Sequence, residues 1–302
     1  MGRPRSIRVE CLEQGRLTVS GNMGNMGNMG NMGNMGNMGN MGNIGNAGSG
    51  WAFADRVDFP FITEPAVAQQ RVSVTSFGTR NWASEWSAWH TLADFATTGW
   101  QTRISVPAPN LGATQSKIDA LIAMALDERT DAMGEIYAQN LEFLSYFMAA
   151  MGANPRSHPA TFNVLNITNL VATLVVMHFK GLHDRPRPSQ LCPALLPPIQ
   201  VPGHASYPSG HSTQGHIFAL CATLVLPSAE RAAMQVVLGK LADRIARNRE
   251  IAGLHYPSDS AAGANLAAAI FGILNDEAIM PHDPNKPSKF AAAMMRAQDE
   301  WK

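Results

Sequence analysis

The chain lacks an excess of either charge, with 23 lysines and arginines against 23 aspartates and glutamates in 302 residues. A balanced chain has no broad field that attracts nucleic acid, so we expect no nucleic-acid partner and only a local basic site. The segment from Met1 to Ser20 carries charges throughout and lacks the apolar core of a secretory signal. These absences predict a protein of the cytoplasm.

Long apolar runs are also scarce. The longest stretches of low charge, Thr161 to Phe179 and Ser212 to Leu226, contain polar side chains and are at or below the length of a membrane span. We therefore expect buried core helices and no membrane span. The cysteines, Cys11, Cys192 and Cys221, match no metal-ligand spacing, and their odd number suits a reducing compartment.

The most unusual composition is a Gly-Asn-Met triplet that repeats through residues 21–48. A period of three fits neither a helix nor a strand, and nothing in the repeat titrates. It is typical either of a flexible low-complexity spacer or of an extended arm through which copies form a homo-oligomer. We divide the chain into an N-terminal tail, residues 1–50, and a helical catalytic domain, residues 51–302.

Strand alternation is hard to find in the second region, and the pattern from Ala113 onward is helical. Between Trp51 and Gly112 we expect short helices and loops that pack on the core. The later helices are expected to end near Gly152 and Lys180, and then to run over Ser212–Leu226, Ser228–Ala252 and Pro257–Asn275, with a last helix from about Ser288. The sequence predicts an all-α helical bundle whose active site lies at helix ends and connecting loops.

Basic residues are concentrated in KGLHDRPRP, from Lys180 to Pro188. Lys180 closes a predicted helix. Arg187 lies between two prolines, which fix their own φ and push the preceding residues into extended geometry. Such an arginine is held outward from the helix. Taken alone, the segment is also typical of a solvated basic loop.

A second cluster, PSGH from Pro208 to His211, stands directly before an apolar run and is typical of a helix start. The hydroxyl of Ser209 and the N–H groups of Gly210 and His211 can bind anionic oxygens there. The His211 imidazole could exchange a proton with the bound group. The other interpretation is a helix N-cap with an incidental histidine.

The third cluster is NREIAGLHYPSD, from Asn248 to Asp259. A predicted helix carries Arg249 in its last turns, and Pro257 begins the next helix. Asp259 then lies in a first helical turn, within reach of the His255 ring. A carboxylate that holds one imidazole nitrogen leaves the other one basic and nucleophilic. The alternative is a structural His–Asp hydrogen bond.

Together the clusters would place Lys180, Arg187 and Arg249 near two histidines. A folded core tolerates three such cations only when an anion compensates them. A tetrahedral oxyanion suits them, because guanidinium groups bind two oxygens in a plane and lysine acts as a point charge. The sequence therefore predicts a phosphate-like anion site.

In this order, K-x6-R-P, P-S-G-H and R-x5-H-x3-D, the motifs resemble the three-part signature of the type 2 phosphatidic acid phosphatase superfamily. That superfamily also contains soluble bacterial acid phosphatases and vanadium-dependent haloperoxidases. The resemblance is close from Lys180 to Asn265 and looser from about Ala113. One departure is Asn248, where the signature usually has serine; we expect little loss of function because either side chain can hydrogen-bond a neighbour.

The resemblance implies a role for each matching residue. His255 would be the nucleophile that forms a phosphohistidine, His211 the general acid and then the general base, and Asp259 the residue that orients His255. The remaining motif residues would hold the oxyanion, and they are Lys180, Arg187, Ser209, Gly210 and Arg249. Members of the family transfer phosphoryl groups without a divalent metal, so this interpretation requires no cofactor.

These roles predict an acid-phosphatase-like phosphomonoester hydrolase with a small phosphorylated substrate. The alternative is a vanadium-dependent haloperoxidase that oxidises halide with hydrogen peroxide, with vanadate as cofactor and His255 as its axial ligand. His204 and His216, expected near the site, could tune that chemistry. A third hypothesis is a scaffold that the Gly-Asn-Met arm assembles, although the intact motifs argue against an idle helical domain.

Overall fold

The computed structural model describes residues 76–78, 82–112 and 114–302. These residues form helices and loops and contain no β-strand, so the predicted all-α class is confirmed. The helices in chain order are α1 (Ser84–Ala96), α2 (Trp100–Arg103), α3 (Thr114–Asp127), α4 (Arg129–Leu141), α5 (Leu144–Ala150), α6 (Pro159–His183), α7 (Pro188–Leu191), α8 (Gly210–Val225), α9 (Ser228–Ile251), α10 (Pro257–Leu274) and α11 (Lys289–Asp299). A single 3-10 turn, Pro193–Leu195, follows α7.

The Gly-Asn-Met repeat of residues 21–48 lies outside the described residues. So does the expected boundary between the tail, residues 1–50, and the helical domain, residues 51–302. The division of the chain and self-association through the repeat therefore stay predictions.

The helices that flank the three motifs have nearly the bounds expected from the sequence. α6 continues past Lys180 to His183 and ends where Asp184 adopts a left-handed φ of 43°. α8 begins before the expected Ser212, because Ser209 is its N-cap and accepts a bond from the Ser212 N–H at 3.4 Å. α10 begins at Pro257, as expected for a proline at the first helical position.

Helix α8 lies at the centre of the bundle and packs against α6, α9 and α10. Between Gly210 and Val225 it contains no acidic residue, lysine or arginine, and its apolar residues such as Ile217 and Phe218 are buried. A helix that is apolar on all sides is stable when other helices surround it. Gln214 Nε2 donates to Asn169 Oδ1 on α6 at 2.8 Å and fixes the register of the two helices.

The start of α8 also packs closely on α10. A Cβ atom added at Gly263 of α10 would lie 2.6 Å from the Ser209 carbonyl oxygen and 2.9 Å from the Ser212 Cβ. Only glycine fits at such a separation. The packing holds the N-terminal ends of α8 and α10 side by side.

The expectation that the chain has no membrane span is wrong by the test of length and composition. The segment Pro159–Leu191, which includes α6, has 33 residues, and an 18-residue window within it has a mean hydropathy of 1.6, so it is long and apolar enough to cross a membrane. The range Thr161 to Phe179 understated its length because the helix extends at both ends. In this structure 78% of its apolar window is buried inside the protein. The cytoplasmic location expected from the sequence stays a prediction.

Candidate active site

Two helices end and two helices begin at one place in the bundle, and the three sequence motifs lie there. α6 carries Lys180 in its last turn and α9 carries Arg249 in its last turn. α8 begins after Ser209, and α10 has Asp259 in its first turn. Cations are favoured at helix C-termini and anions at helix N-termini. The structure thus brings the predicted site residues of all three motifs together.

Backbone hydrogen bonds tie the segments that carry these residues. The Ser206 N–H donates to the Arg185 carbonyl at 2.8 Å, and the Ser209 N–H donates to the Asp259 carbonyl at 3.0 Å. The first bond links the first motif to the segment that precedes the second motif, and the second bond links the second and third motifs. The relative positions of the motifs are therefore set by the main chain as well as by side chains.

Hydrogen bonds at both ring nitrogens hold His255. Its Nδ1 lies 3.3 Å from Asp259 Oδ2, and its Nε2 lies 3.3 Å from Arg187 Nη1. A guanidinium group can only donate, so Nε2 is the unprotonated nitrogen and Nδ1 carries the proton that Asp259 accepts. The lone pair on Nε2 therefore points toward the guanidinium of Arg187, where an anion would bind.

The site keeps His255 neutral. Burial lowers the pKa of its imidazole well below the ordinary value, and the charges of Arg187, Lys180 and Arg249 lower it further. A neutral imidazole has the free electron pair that a nucleophile needs. Below neutral pH the side chain therefore remains able to attack.

The Asp259 carboxylate is fully buried and accepts hydrogen bonds at both oxygens. Oδ1 accepts from Arg185 Nη1 at 2.6 Å. Oδ2 accepts from the Ser206 hydroxyl at 2.6 Å and from the Tyr256 N–H at 3.1 Å. These donors fix the carboxylate in the orientation that presents Oδ2 to His255.

Lys180 and Arg187 are buried cations whose donors are bound largely by backbone carbonyls. Lys180 Nζ donates to the carbonyls of Ala205 and Ser206, both at 2.8 Å. Arg187 Nη1 donates to the Leu254 carbonyl at 2.9 Å. Carbonyl groups satisfy these donors without neutralising them. Burial, with the charge of Arg187, lowers the pKa of Lys180 well below its ordinary value, and burial lowers the pKa of Arg187 to about 10.

Arg249 is the third predicted cation. Its Nη1 and Nη2 donate to Asn140 Oδ1, both at 3.4 Å, and its buried Nε has no hydrogen-bond partner among the described residues. Burial lowers the pKa of this guanidinium to about 9, and the charge of Arg187 contributes to the shift. The planar donor group is therefore only partly satisfied inside the protein.

Positive charge exceeds negative charge in this buried region. The buried cations are Lys180, Arg185, Arg187 and Arg249. Within the described residues only Arg185 among them forms an ion pair, with Asp259, and the second buried carboxylate, Glu250, pairs with Arg247. Uncompensated buried charge is costly. An oxyanion at this place would supply the missing negative charge.

His211 is buried at the start of α8 and stacks on Phe143, with ring centroids 4.9 Å apart. Its Nε2 lies 3.3 Å from the Gln139 carbonyl oxygen, which accepts the Nε2 proton. Burial lowers the pKa of His211 well below its ordinary value, and Arg249 and His255 add to the shift. A bound anion would offset the cations and raise this pKa, which is the change that a general acid requires.

The two histidines that flank the second motif, His204 and His216, have different surroundings. His204 Nδ1 lies 3.1 Å from Arg187 Nη2, and burial, with the charge of Lys180, lowers the pKa of His204 to about 4. His216 instead contacts the Ser212 carbonyl at 2.7 Å and Asp243 at 3.2 Å. Of these two histidines, only His204 contacts one of the buried cations, Arg187.

Sequence reasoning missed several groups at the site. Arg185 carried a usable signal, because residues two apart in an extended segment such as Arg185 and Arg187 point to the same side. No signal in the sequence marked Gln139, Asn140 or Phe143 as site residues, since they lay within predicted amphipathic helices. The departure at Asn248 has a structural role that involves this region: its Nδ2 donates to the Gln139 side chain and to Glu135, both at 2.9 Å.

Comparison with known proteins agrees with the motifs. Residues 162–276 match the model of the PAP2 superfamily. The chain is 32% identical over 105 residues to decaprenylphosphoryl-5-phosphoribose phosphatase of Mycobacterium tuberculosis, from strain CDC 1551 / Oshkosh and from strain ATCC 25618 / H37Rv. The matched segment covers 35% of this chain and 54% of these relatives, so the chain spans about half their length. The predicted superfamily is confirmed, and the helical region at residues 162–276 belongs to it.

Proposed function

We propose that the protein hydrolyses phosphomonoesters through a phosphohistidine formed on His255, with no divalent metal. The observation that carries the proposal is the geometry of His255, whose Nδ1 is held by Asp259 while Nε2 faces Arg187. The named activity of the relatives supports phosphatase chemistry in general. Within the described residues no group of three or more His, Cys, Asp and Glu side chains is arranged to hold a metal ion.

In the first step the phosphate group displaces the guanidinium of Arg187 from Nε2 and lies among the three cations. Nε2 of His255 attacks phosphorus, the N–P bond forms, and the bond to the leaving oxygen breaks. Protonated His211 gives its proton to that oxygen. Lys180, Arg187 and Arg249 neutralise the charge that develops on the phosphoryl oxygens, and their effect is strong because the three side chains are buried.

In the second step a water molecule attacks the phosphorus of phosphohistidine. His211, now neutral, takes a proton from this water, and the N–P bond breaks so that the electron pair returns to His255. Asp259 accepts a hydrogen bond from the Nδ1–H of His255 throughout, without taking the proton, and stabilises the positive charge that the ring acquires when Nε2 is bonded. Inorganic phosphate leaves, and the neutral histidine is restored.

The residues present also fit vanadate, which the resemblance names as the cofactor of a haloperoxidase. His255 would be its nitrogen ligand, with the three cations on its oxygens, and vanadate would supply the activation of peroxide. Because the relatives named above are phosphatases, we propose the phosphatase and treat halide oxidation as the alternative result that the experiment below can detect.

The test is hydrolysis of p-nitrophenyl phosphate and ribose 5-phosphate by the full chain after treatment with a chelator. Ribose 5-phosphate is included because the relatives are named for a phosphoribose compound. We expect turnover that vanadate inhibits, none in the His255→Ala variant, and nearly normal turnover in His216→Ala, whose histidine contacts Asp243 instead.

Two results would contradict the proposal. Equal activity in wild type and His255→Ala would show that His255 is not the nucleophile. Bromide oxidation by hydrogen peroxide that appears only after vanadate is added, without phosphate release from either ester, would favour the haloperoxidase.

A further inference from the structure

Arg185 occupies one of the unspecified positions between Lys180 and Arg187 in the first motif, and it contacts the residue that orients the nucleophile. Its Nη1 donates to Asp259 Oδ1 at 2.6 Å, and the two side chains are 4% and 0% exposed. The same nitrogen donates to the Ser258 hydroxyl at 2.8 Å. The guanidinium plane covers the Tyr256 ring, with its central carbon 3.9 Å from the ring centroid.

These contacts hold Arg185 in one place. The stacked ring and the two acceptors restrain the guanidinium on a face and on an edge, since a planar donor group is far less free than an ammonium. Pro186 also keeps the segment between Arg185 and Arg187 extended. Arg185 is consequently turned toward the carboxylate while Arg187 reaches Nε2 of the nucleophile.

Ser206 completes the arrangement from the other side. Its hydroxyl donates to Asp259 Oδ2 at 2.6 Å and also lies 3.3 Å from His255 Nδ1. Because Arg185 binds Oδ1, the carboxylate cannot rotate to present that oxygen to the imidazole. The oxygen that Ser206 contacts is the one left for the Nδ1 proton.

We propose that Arg185 is a positioning residue for the reaction, which acts through Asp259 to fix the tautomer and direction of the His255 imidazole. The inference rests on the proposed phosphatase function. A positioning role requires that loss of Arg185 slows the chemical step and leaves the affinity for phosphate nearly unchanged. A purely structural ion pair would change stability alone.

The experiment compares Arg185→Met and Arg185→Lys with wild type, each also combined with Asp259→Asn. In Arg185→Met we expect kcat to fall about 10–100-fold, the usual cost of losing a residue that orients an active group. The inhibition constant of inorganic phosphate should stay within about threefold of wild type, because Lys180, Arg187 and Arg249 are intact. Lysine should restore part of kcat, since it keeps one charged donor to Asp259.

The combined variants show whether Arg185 acts through the carboxylate. When two residues act as one unit, losing the second after the first has little further effect. In the Asp259→Asn background, we expect Arg185→Met to lower kcat less than about threefold. A loss as large as that in wild type would mean that Arg185 acts elsewhere and would overturn the inference.

A control and a second variant guard against loss of the fold. Arg129 is an arginine that ties loops near the site, with bonds to the backbone carbonyls of Ile251 and Leu195, so Arg129→Met should lower stability and spare kcat. Ser206→Ala removes the hydroxyl donor to Asp259 and should lower kcat in the same direction as Arg185→Met. Unchanged kcat in both Arg185→Met and Ser206→Ala would contradict the inference.

A spectroscopic measurement separates this inference from the proposed function. The Nδ1 proton of His255 should give a protected NMR signal in wild type that is lost in Arg185→Met and retained in Arg129→Met. If wild type hydrolyses no phosphomonoester, the proposed function is wrong, and the Nδ1 signal still decides the role of Arg185. A signal that persists unchanged in Arg185→Met would overturn the inference.

Discussion

Helix α9 has arginines in two contrasting environments. In its exposed stretch Arg244 bonds Glu135 on α4 and Arg247 bonds Glu128 at the N-cap of α4, and these hydrogen bonds raise the pKa of each guanidinium. In its last turn Arg249 is buried, bonds the neutral Asn140, and has a pKa lowered to about 9 by burial. One helix thus pairs two of its exposed arginines with carboxylates, while its buried arginine has no carboxylate partner among the described residues.

The difference indicates where a ligand is needed. Exposed ion pairs contribute only about 0–1 kcal/mol each, so the α4 pairs add little to stability and nothing to chemistry. A buried cation without a counter-charge destabilises the empty protein, and a bound oxyanion would remove that cost. The exposed pairs therefore need no further partner, whereas the buried end carries positive charge that a bound oxyanion would balance.

The largest expected effect comes from removing each kind of arginine. Arg249→Met should lower kcat/KM about 10²–10³-fold, as the loss of a charge-stabilising donor does, and leave the free energy of unfolding unchanged or higher. Arg244→Met should lower that free energy by at most about 1 kcal/mol and spare activity. Steady-state kinetics and urea unfolding measure both. Equal effects of the two substitutions on activity would contradict the claim that only the buried end of α9 takes part in the reaction.

A smaller effect should follow from His211, which belongs to the buried end through its contact with Gln139. His211→Gln removes the proton donor, so hydrolysis should slow about 10²-fold for an alkyl phosphate and less for p-nitrophenyl phosphate, whose leaving group needs no proton. The comparison of the two esters is the measurement. The same slowing for both would show that His211 does not protonate the leaving oxygen.

The buried histidines at this end of the bundle should also make the free energy of unfolding depend on pH. His204, His211 and His255 have pKa values lowered by burial, to about 4 for His204. In the unfolded chain the pKa of each is about 6.5. As pH falls below that value the unfolded state takes up protons that the folded state does not, so the free energy of unfolding falls.

Thermal unfolding between pH 7 and pH 5 measures this loss, with and without inorganic phosphate at constant ionic strength. Phosphate should stabilise the protein at each pH because it compensates the buried cations. Sodium chloride should instead weaken the exposed pairs on α9, which salt screens. A melting temperature that responds to chloride and phosphate alike would argue against a specific anion site.

The smallest expected effect concerns the fit of the helix starts. Gly263→Ala places a methyl group against Ser209 and Ser212 and should lower the free energy of unfolding by about 1–3 kcal/mol. Gly272→Ala on the same helix meets nothing within 4 Å and should be neutral or slightly stabilising. Urea unfolding of both variants is the test, and equal values would mean that α8 and α10 are not closely packed.

Much of the fold and part of the site could be predicted from the sequence because their signals are local. Ser209 as a helix cap, Pro257 at a helix start and Asp259 within reach of His255 all follow from residues near one another in the chain. The bounds of α8, α9 and α10 followed for the same reason. These short-range features were enough to place the motifs at the correct helix ends.

The rest depends on contacts between distant segments. His211 meets Gln139 and Arg249 meets Asn140 across 72 and 109 residues of chain, and no local pattern announces either contact. Arg185 pairs with Asp259 across 74 residues. The apolar stretch from Thr161 to Phe179 was also shorter than the helix that contains it, which runs from Pro159 to His183, because turns of mixed composition extend it at both ends.

The central claim is that the lone pair of His255 Nε2 becomes bonded to phosphorus. The most direct measurement is a rapid quench of the enzyme during turnover of a ³²P-labelled phosphomonoester, followed by mapping of the labelled peptide. The account predicts an alkali-stable, acid-labile label on His255 that is absent from His255→Ala. Steady hydrolysis without any such label, or a label on another residue, would contradict it.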